Sequence, residues 1–72
     1  MTDKEFVISV YEDAKYSFSV DPRDRKNSSI EITMPDGRYR AIGWCCDKTE
    51  EMTWFYARHD IESEMLRKLE NL

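Results

Sequence analysis

The segment Ile30-Glu31-Ile32-Thr33-Met34 alternates apolar and polar side chains and then runs into Pro35-Asp36-Gly37. Successive side chains of a strand point to opposite faces, so this alternation buries one face and wets the other. Proline fixes the first turn dihedral and glycine accepts a left-handed one, so the chain reverses at this point. The returning arm, from Arg38 to its end at Trp44-Cys45-Cys46, reads as a second strand. A three-residue loop sets Met34 against Arg38, Ile32 against Arg40 and Ile30 against Ile42, with arginine stems flanking the apolar face. A slip of one residue substitutes Tyr39, Ala41 and Gly43 there, and the pattern leaves both registers open.

The same period of two recurs earlier in the chain. Phe6, Ile8 and Val10 fall on one face of a strand, and Tyr16, Phe18 and Val20 on one face of the next. They predict a hairpin pairing Val10 with Phe18 and Ile8 with Val20 across an Asp13-Ala14-Lys15 loop. Asp21 to Ser29 has no apolar side chain except the Pro22 ring and reads as a loop. Met52 to Ala57 is nearly continuous in apolar and aromatic residues after the polar turn Asp47 to Glu51, and predicts a fifth strand covered on both sides. Asp60 is placed to cap a helix in which Ile61, Met65, Leu66, Leu69 and Leu72 recur at three- and four-residue steps. Glu62 and Glu64 lie early in that helix and Arg67 and Lys68 late, as its dipole favours. A helix of about 12 residues does not persist alone in water, so its stripe must pack on the sheet or on another chain. The expected fold class is α+β: an antiparallel sheet of about five strands, built from two hairpins plus one strand, with one C-terminal helix packed on one face. Residues 1–72 form a single small domain in this reading.

Seventy-two residues cannot divide their apolar side chains between two cores. Area scaling gives such a chain a folded surface of about 4,700 Å² and buries only about 60% of its unfolded surface. A core this thin supplies only about 3–5 kcal/mol, so a second copy or a bound partner adds materially to stability. The chain carries 15 acidic and 11 basic residues, a net charge of −4. That sign argues against general nucleic-acid binding through a basic surface. The charge is uneven: residues 14–40 are net basic and contain Arg23, Arg25, Lys26, Arg38 and Arg40, between two net acidic segments. No apolar run reaches the roughly 18–20 residues of a membrane span, and Met1-Thr2-Asp3-Lys4-Glu5 lacks the basic start of a secretory signal, so a cytoplasmic protein without a membrane partner is expected. Asn27-Ser28-Ser29 matches the glycosylation pattern by chance on that reading.

Little in the chain points to catalysis. Adjacent Cys45 and Cys46 in a strand face opposite sides and make a poor chelating pair, and His59 is the one histidine. His59-Asp60 could orient an imidazole, yet capping geometry explains the pair as well and no nucleophile stands beside it. The paired carboxylates Glu50-Glu51 and Glu62/Glu64 read as solvated faces. With two glycines in total, and no Gly-x-Ser-x-Gly, His-Glu-x-x-His or calcium-loop pattern, the sequence predicts no catalytic residues, no metal, no cofactor and no enzyme.

The aromatic residues are more informative. Tyr39, Trp44, Trp54, Phe55 and Tyr56 fall on two segments expected to pair as strands, too many large rings for one side of so thin a sheet. Either some half-bury at the edge, with Trp54 or Phe55 under the helix, or they meet another chain. Tyr, Trp and Arg dominate interface hot spots, which makes Tyr39, Arg40, Trp44, Trp54, Tyr56 and Arg58 the candidate partner-binding residues. The function expected is a small acidic protein-binding module, an inhibitor or modulator of a larger protein, of the kind a virus or mobile element encodes against a host enzyme. Two other readings stay open: a nucleic-acid-binding or DNA-mimicking protein, and a homodimeric structural or accessory subunit.

Overall fold

The computed structural model describes residues 1–71. Along the chain come α1 (Asp3–Val10), β1 (Lys15–Val20), β2 (Lys26–Thr33), β3 (Tyr39–Cys46) and α2 (Glu50–Glu70). The layout is α+β with an antiparallel sheet, as expected, but the sheet has three strands in the order β1-β2-β3 rather than about five. Two of the expected strands are helical.

The first of these is Phe6 to Val10. Its alternation fits a strand, but the intervening Val7 is fully buried, and only a helix turns Val7 inward together with Phe6 and Tyr11. Thr2 starts α1 with a capping box: its Oγ1 accepts the Glu5 N–H at 3.1 Å while the Glu5 carboxylate accepts the Thr2 N–H at 3.2 Å. That backbone hydrogen bond, together with one from the Thr2 side chain, holds the Glu5 carboxyl below its ordinary value. The expected Val10–Phe18 and Ile8–Val20 pairs therefore do not form. β1 pairs instead with β2, with Tyr16 opposite Ile30 and Phe18 opposite Ser28.

The expected loop from Asp21 to Ser29 shrinks to Asp21–Arg25, because β2 already begins at Lys26. Asp21 organises this turn. Its Oδ1 accepts the N–H groups of Arg23 at 2.8 Å and Arg25 at 3.0 Å, and Asp24 takes a left-handed φ of 61°. On the other side of β2 the register is one of the two the sequence offered, with Ile32 opposite Arg40 and Ile30 opposite Ile42. Beyond it the ladder shifts, so that Gly43 and Trp44 together oppose Ser29 in a bulge and Cys45 faces Ser28.

Met52 to Ala57 is helix, not strand. Thr49 caps α2 by accepting the Met52 N–H at 3.2 Å, and Thr53, Trp54, Ala57 and Ile61 turn inward at helical spacing. Asp60, expected at a helix start, lies within α2, and its Oδ2 accepts the Gly43 N–H at 2.8 Å. The core joins Val7 and Ala14 with Ile30, Ile32 and Ile42 of the sheet and Trp54, Ala57 and Ile61 of α2. Thr53 lies against Ser28 and Cys45, Ala57 and Asp60 against Gly43, and Glu64 against Arg40, so α2 runs antiparallel to β3. Residues 65–70 are all exposed. Leu72, expected as the last residue of the helical stripe, lies outside the described residues.

One polar contact sits inside this packing. Ser28 Oγ and Thr53 Oγ1 are buried 2.9 Å apart, and the Thr53 hydroxyl donates onward to Thr49 O at 3.0 Å. Thr53→Val keeps the shape but leaves Ser28 with only the sulfur of Cys45, at 3.3 Å, and is expected to cost about 1–3 kcal/mol. Urea unfolding checks this through a lowered midpoint at unchanged slope.

Candidate functional site

The expected partner-binding residues do not form one cluster. Tyr39 and Trp44 are exposed on β3. Arg40 pairs with Glu64 of α2, a hydrogen bond that raises the Arg40 guanidinium above its ordinary value. Trp54 is buried, donates Nε1–H to Glu50 at 3.0 Å and has the Lys4 ammonium 5.5 Å from its ring centre. Tyr56 is half-buried and meets Phe55 edge to face at 5.6 Å. Arg58 bonds Glu62 at 2.7 Å and Asp3 at 3.3 Å while its guanidinium lies 4.6 Å from the Phe6 ring centre. Arg58 thus clips α1 to α2, and the Glu62 bond foremost raises its guanidinium above the ordinary value.

The basic residues are dispersed as well. Arg23 and Arg25 sit in the β1–β2 turn, Lys26 beside it, and Arg38 in the β2–β3 turn at the opposite end of β2, with Arg40 in its ion pair. Cys45 turns toward Ser28 and Thr53 at 3.3 and 3.4 Å, while the exposed Cys46 donates to Asn27 Oδ1 at 3.1 Å. The two thiols therefore lie on opposite sides of β3, and both are free. His59 is exposed, and its neighbour Asp60 is committed to Gly43. Among the described residues no group of three His, Cys, Asp or Glu side chains is placed to hold a metal, and no helix is long and apolar enough to cross a membrane.

Three features stand out on the surface. A cleft of about 600 Å³ opens between the starts of α1 and α2, lined by Met1, Thr2, Asp3, Lys4, Glu50, Glu51 and Trp54. Its walls mix the acids Asp3, Glu50 and Glu51 with Lys4, and among the described residues no such group is placed to hold a metal. The second feature is the pair Tyr39 and Trp44. The third is the last part of α2, where Ile61 is the final buried residue and Met65, Leu66 and Leu69 stand 45%, 59% and 66% exposed. These side chains follow at steps of one, three and four, so they share one side of the helix. Their spacing was legible in the sequence, which left the stripe to pack on the sheet or on another chain. The sheet is covered by Thr53, Trp54, Ala57 and Ile61, and the distal apolar residues lie exposed beyond them.

Comparison of the chain with protein-family models, curated proteins and solved structures finds no match.

Arg58 was expected on a binding surface, and the structure makes it a brace. Arg58→Ala is therefore expected to loosen α1, speeding amide exchange across Asp3–Val10 more than in β2 and β3. Arg58→Met, which keeps an apolar stem over Phe6, should restore part of the protection.

Proposed function

We propose that the protein is a small acidic protein-binding module, an inhibitor or modulator of a larger protein, that docks through the distal turns of α2. The observation that carries this reading is the bare row Met65, Leu66 and Leu69 on a helix whose first half already fills the core. A row of this kind lays naturally into an apolar groove of a partner, with anchors read at helical spacing. The surface area agrees. The chain exposes 5535 Å², about 800 Å² more than scaling gives for its mass, an excess comparable to what each partner buries in a standard interface.

The action read here is occupancy rather than chemistry. The residues that could have served catalysis are otherwise engaged or set apart: Cys45 and Cys46 by strand geometry, Asp60 by Gly43, Arg40 and Arg58 by ion pairs. Nucleic-acid binding is disfavoured by the net charge of −4 and by basic side chains placed at opposite ends of the sheet. We place the protein in the cytoplasm, where free thiols such as Cys45 and Cys46 stay reduced.

The double variant Leu66→Asp/Leu69→Asp tests the surface. Both positions are exposed, so the chain should stay folded, losing about 1 kcal/mol per substitution to lower helix propensity and a carboxylate near the helix C-terminus. The partner retained by the immobilised wild-type chain from cell extract at high salt should bind the variant more weakly by at least about 2 kcal/mol, roughly thirtyfold. Unchanged affinity, or no protein retained by the wild type, contradicts the proposal.

A further inference from the structure

The three-stranded sheet has two edges, and they differ. At β3 the bulge at Gly43 and Trp44 breaks the edge, and Asp60 occupies the Gly43 N–H. Both devices blunt an edge against further pairing. At β1 neither is present: pairing with β2 runs without interruption from Lys15 opposite Glu31 to Val20 opposite Lys26, and no proline interrupts the strand. The hydrogen-bond phase of this edge follows from the turn. Asp21 N–H donates to Arg25 O at 3.0 Å, so the bonded pairs of the ladder are Ser19 with Asn27, Ser17 with Ser29 and Lys15 with Glu31. Antiparallel ladders alternate, so Tyr16, Phe18 and Val20 point their N–H and C=O groups away from β2, into solvent.

The side chains of the same three residues face the helical side of the sheet, because they pair with Ile30, Ser28 and Lys26. α2 lies mainly over β2 and β3 and touches β1 only lightly, where Tyr16 packs half-buried against the core. Phe18 is 49% and Val20 56% exposed, with the Phe18 ring stacked on Tyr16 at 6.4 Å. One strip therefore carries both unpaired backbone groups and uncovered apolar side chains.

We propose that this edge pairs with β1 of a second copy, antiparallel about a twofold axis at Phe18, joining two sheets into one of six strands. The sequence of β1 is complementary to itself in that register. Phe18 meets the second copy's Phe18, Tyr16 meets Val20, Ser17 meets Ser19, and Lys15 meets Asp21 of the following turn at each end. The outward-pointing groups of Tyr16, Phe18 and Val20 then satisfy one another. Among the described residues the ion pairs use Arg38, Arg40 and Arg58, and Lys15 enters none of them. Charge selects this register over its neighbours of the same phase. Centring the axis on Ser17 sets Asp21 against Asp13, and centring it on Ser19 sets Lys15 against Arg23 and Tyr16 against Pro22, which has no N–H to give. A twofold contact of one patch with itself closes at two copies, so the assembly is a dimer. This inference does not depend on the docking role of α2.

Mass in solution, measured from micromolar to millimolar concentration, tests it. The wild-type chain should reach twice the monomer mass, and Phe18→Glu, which sets two carboxylates face to face on the axis, should remain a monomer with native circular dichroism. Leu66→Asp/Leu69→Asp should remain a dimer. A monomeric wild type, a dimeric Phe18→Glu, or a dimer lost in the α2 variant overturns the proposal. Amide exchange of the wild-type chain gives a readout that needs no variant. The Tyr16, Phe18 and Val20 amides should gain protection as concentration rises, and their staying as unprotected as in dilute solution also overturns it.

Discussion

At Gly43 the backbone of β3 touches the backbone of α2. A Cβ built there would stand 2.6 Å from Thr53 O and 2.7 Å from Ala57 N, and the residue holds a left-handed φ of 67° that favours glycine. The bulge that places Gly43 there bends the strand into the helix. With the two elements this close, Asp60 receives the Gly43 N–H, Ser28 meets Thr53, and Arg40 meets Glu64. The same approach closes Trp54, Ala57 and Ile61 over Ile30, Ile32 and Ile42. α1 then rests on α2, held by Arg58 against Asp3 and Phe6.

This arrangement also distributes the surface. Anchoring α2 by its first half frees its second half, so Met65, Leu66 and Leu69 are presented rather than packed. Seating α2 mainly over β2 and β3 leaves the outer part of β1 exposed, with Phe18 and Val20 open and the outer backbone groups unpaired. Two separate apolar strips thus result from one packing choice. In a chain with so few core residues, covering either strip adds burial that the monomer cannot supply itself.

How much of this could be read from the sequence depends on the kind of signal. The Pro35-Asp36-Gly37 turn was legible because turn chemistry and alternation agree locally, whereas the pairing of Ile30 with Ile42 was one of two registers the pattern left open. The start of α2 was not legible. Met52-Thr53-Trp54-Phe55-Tyr56 is rich in strand-favouring residues, and tertiary packing overrode that preference. A cap signal was present in Thr49-Glu50-Glu51 ahead of residues 54, 57 and 61 at helical steps. Phe6, Ile8 and Val10 satisfied a strand pattern, and the deciding marks were Thr2 and Glu5 at capping-box spacing. The burial of Ser28 had no local mark at all, since its partner Thr53 lies far along the chain. Of the candidate surface, the aromatic surplus called for some exposed rings without saying which, and Tyr39 and Trp44 are among those exposed. Trp54 falls on the wrong element when Met52 to Ala57 is read as a strand, and Arg58 falls between that strand and the helix expected from Asp60, whereas both lie within α2.

The central claim, that backbone contact at Gly43 seats α2, is tested most directly by comparing Gly43→Ala with Gly37→Ala. Both glycines have positive φ, 67° and 87°, so both alanines meet backbone strain of about 1–3 kcal/mol. A Cβ at Gly37 meets nothing within 4 Å, whereas at Gly43 it meets the backbone of α2. Chemical denaturation should show Gly43→Ala less stable than Gly37→Ala by about 2 kcal/mol or more, as overpacking of this kind costs. Equal losses at the two positions would mean that α2 does not lie against Gly43, and would contradict the account.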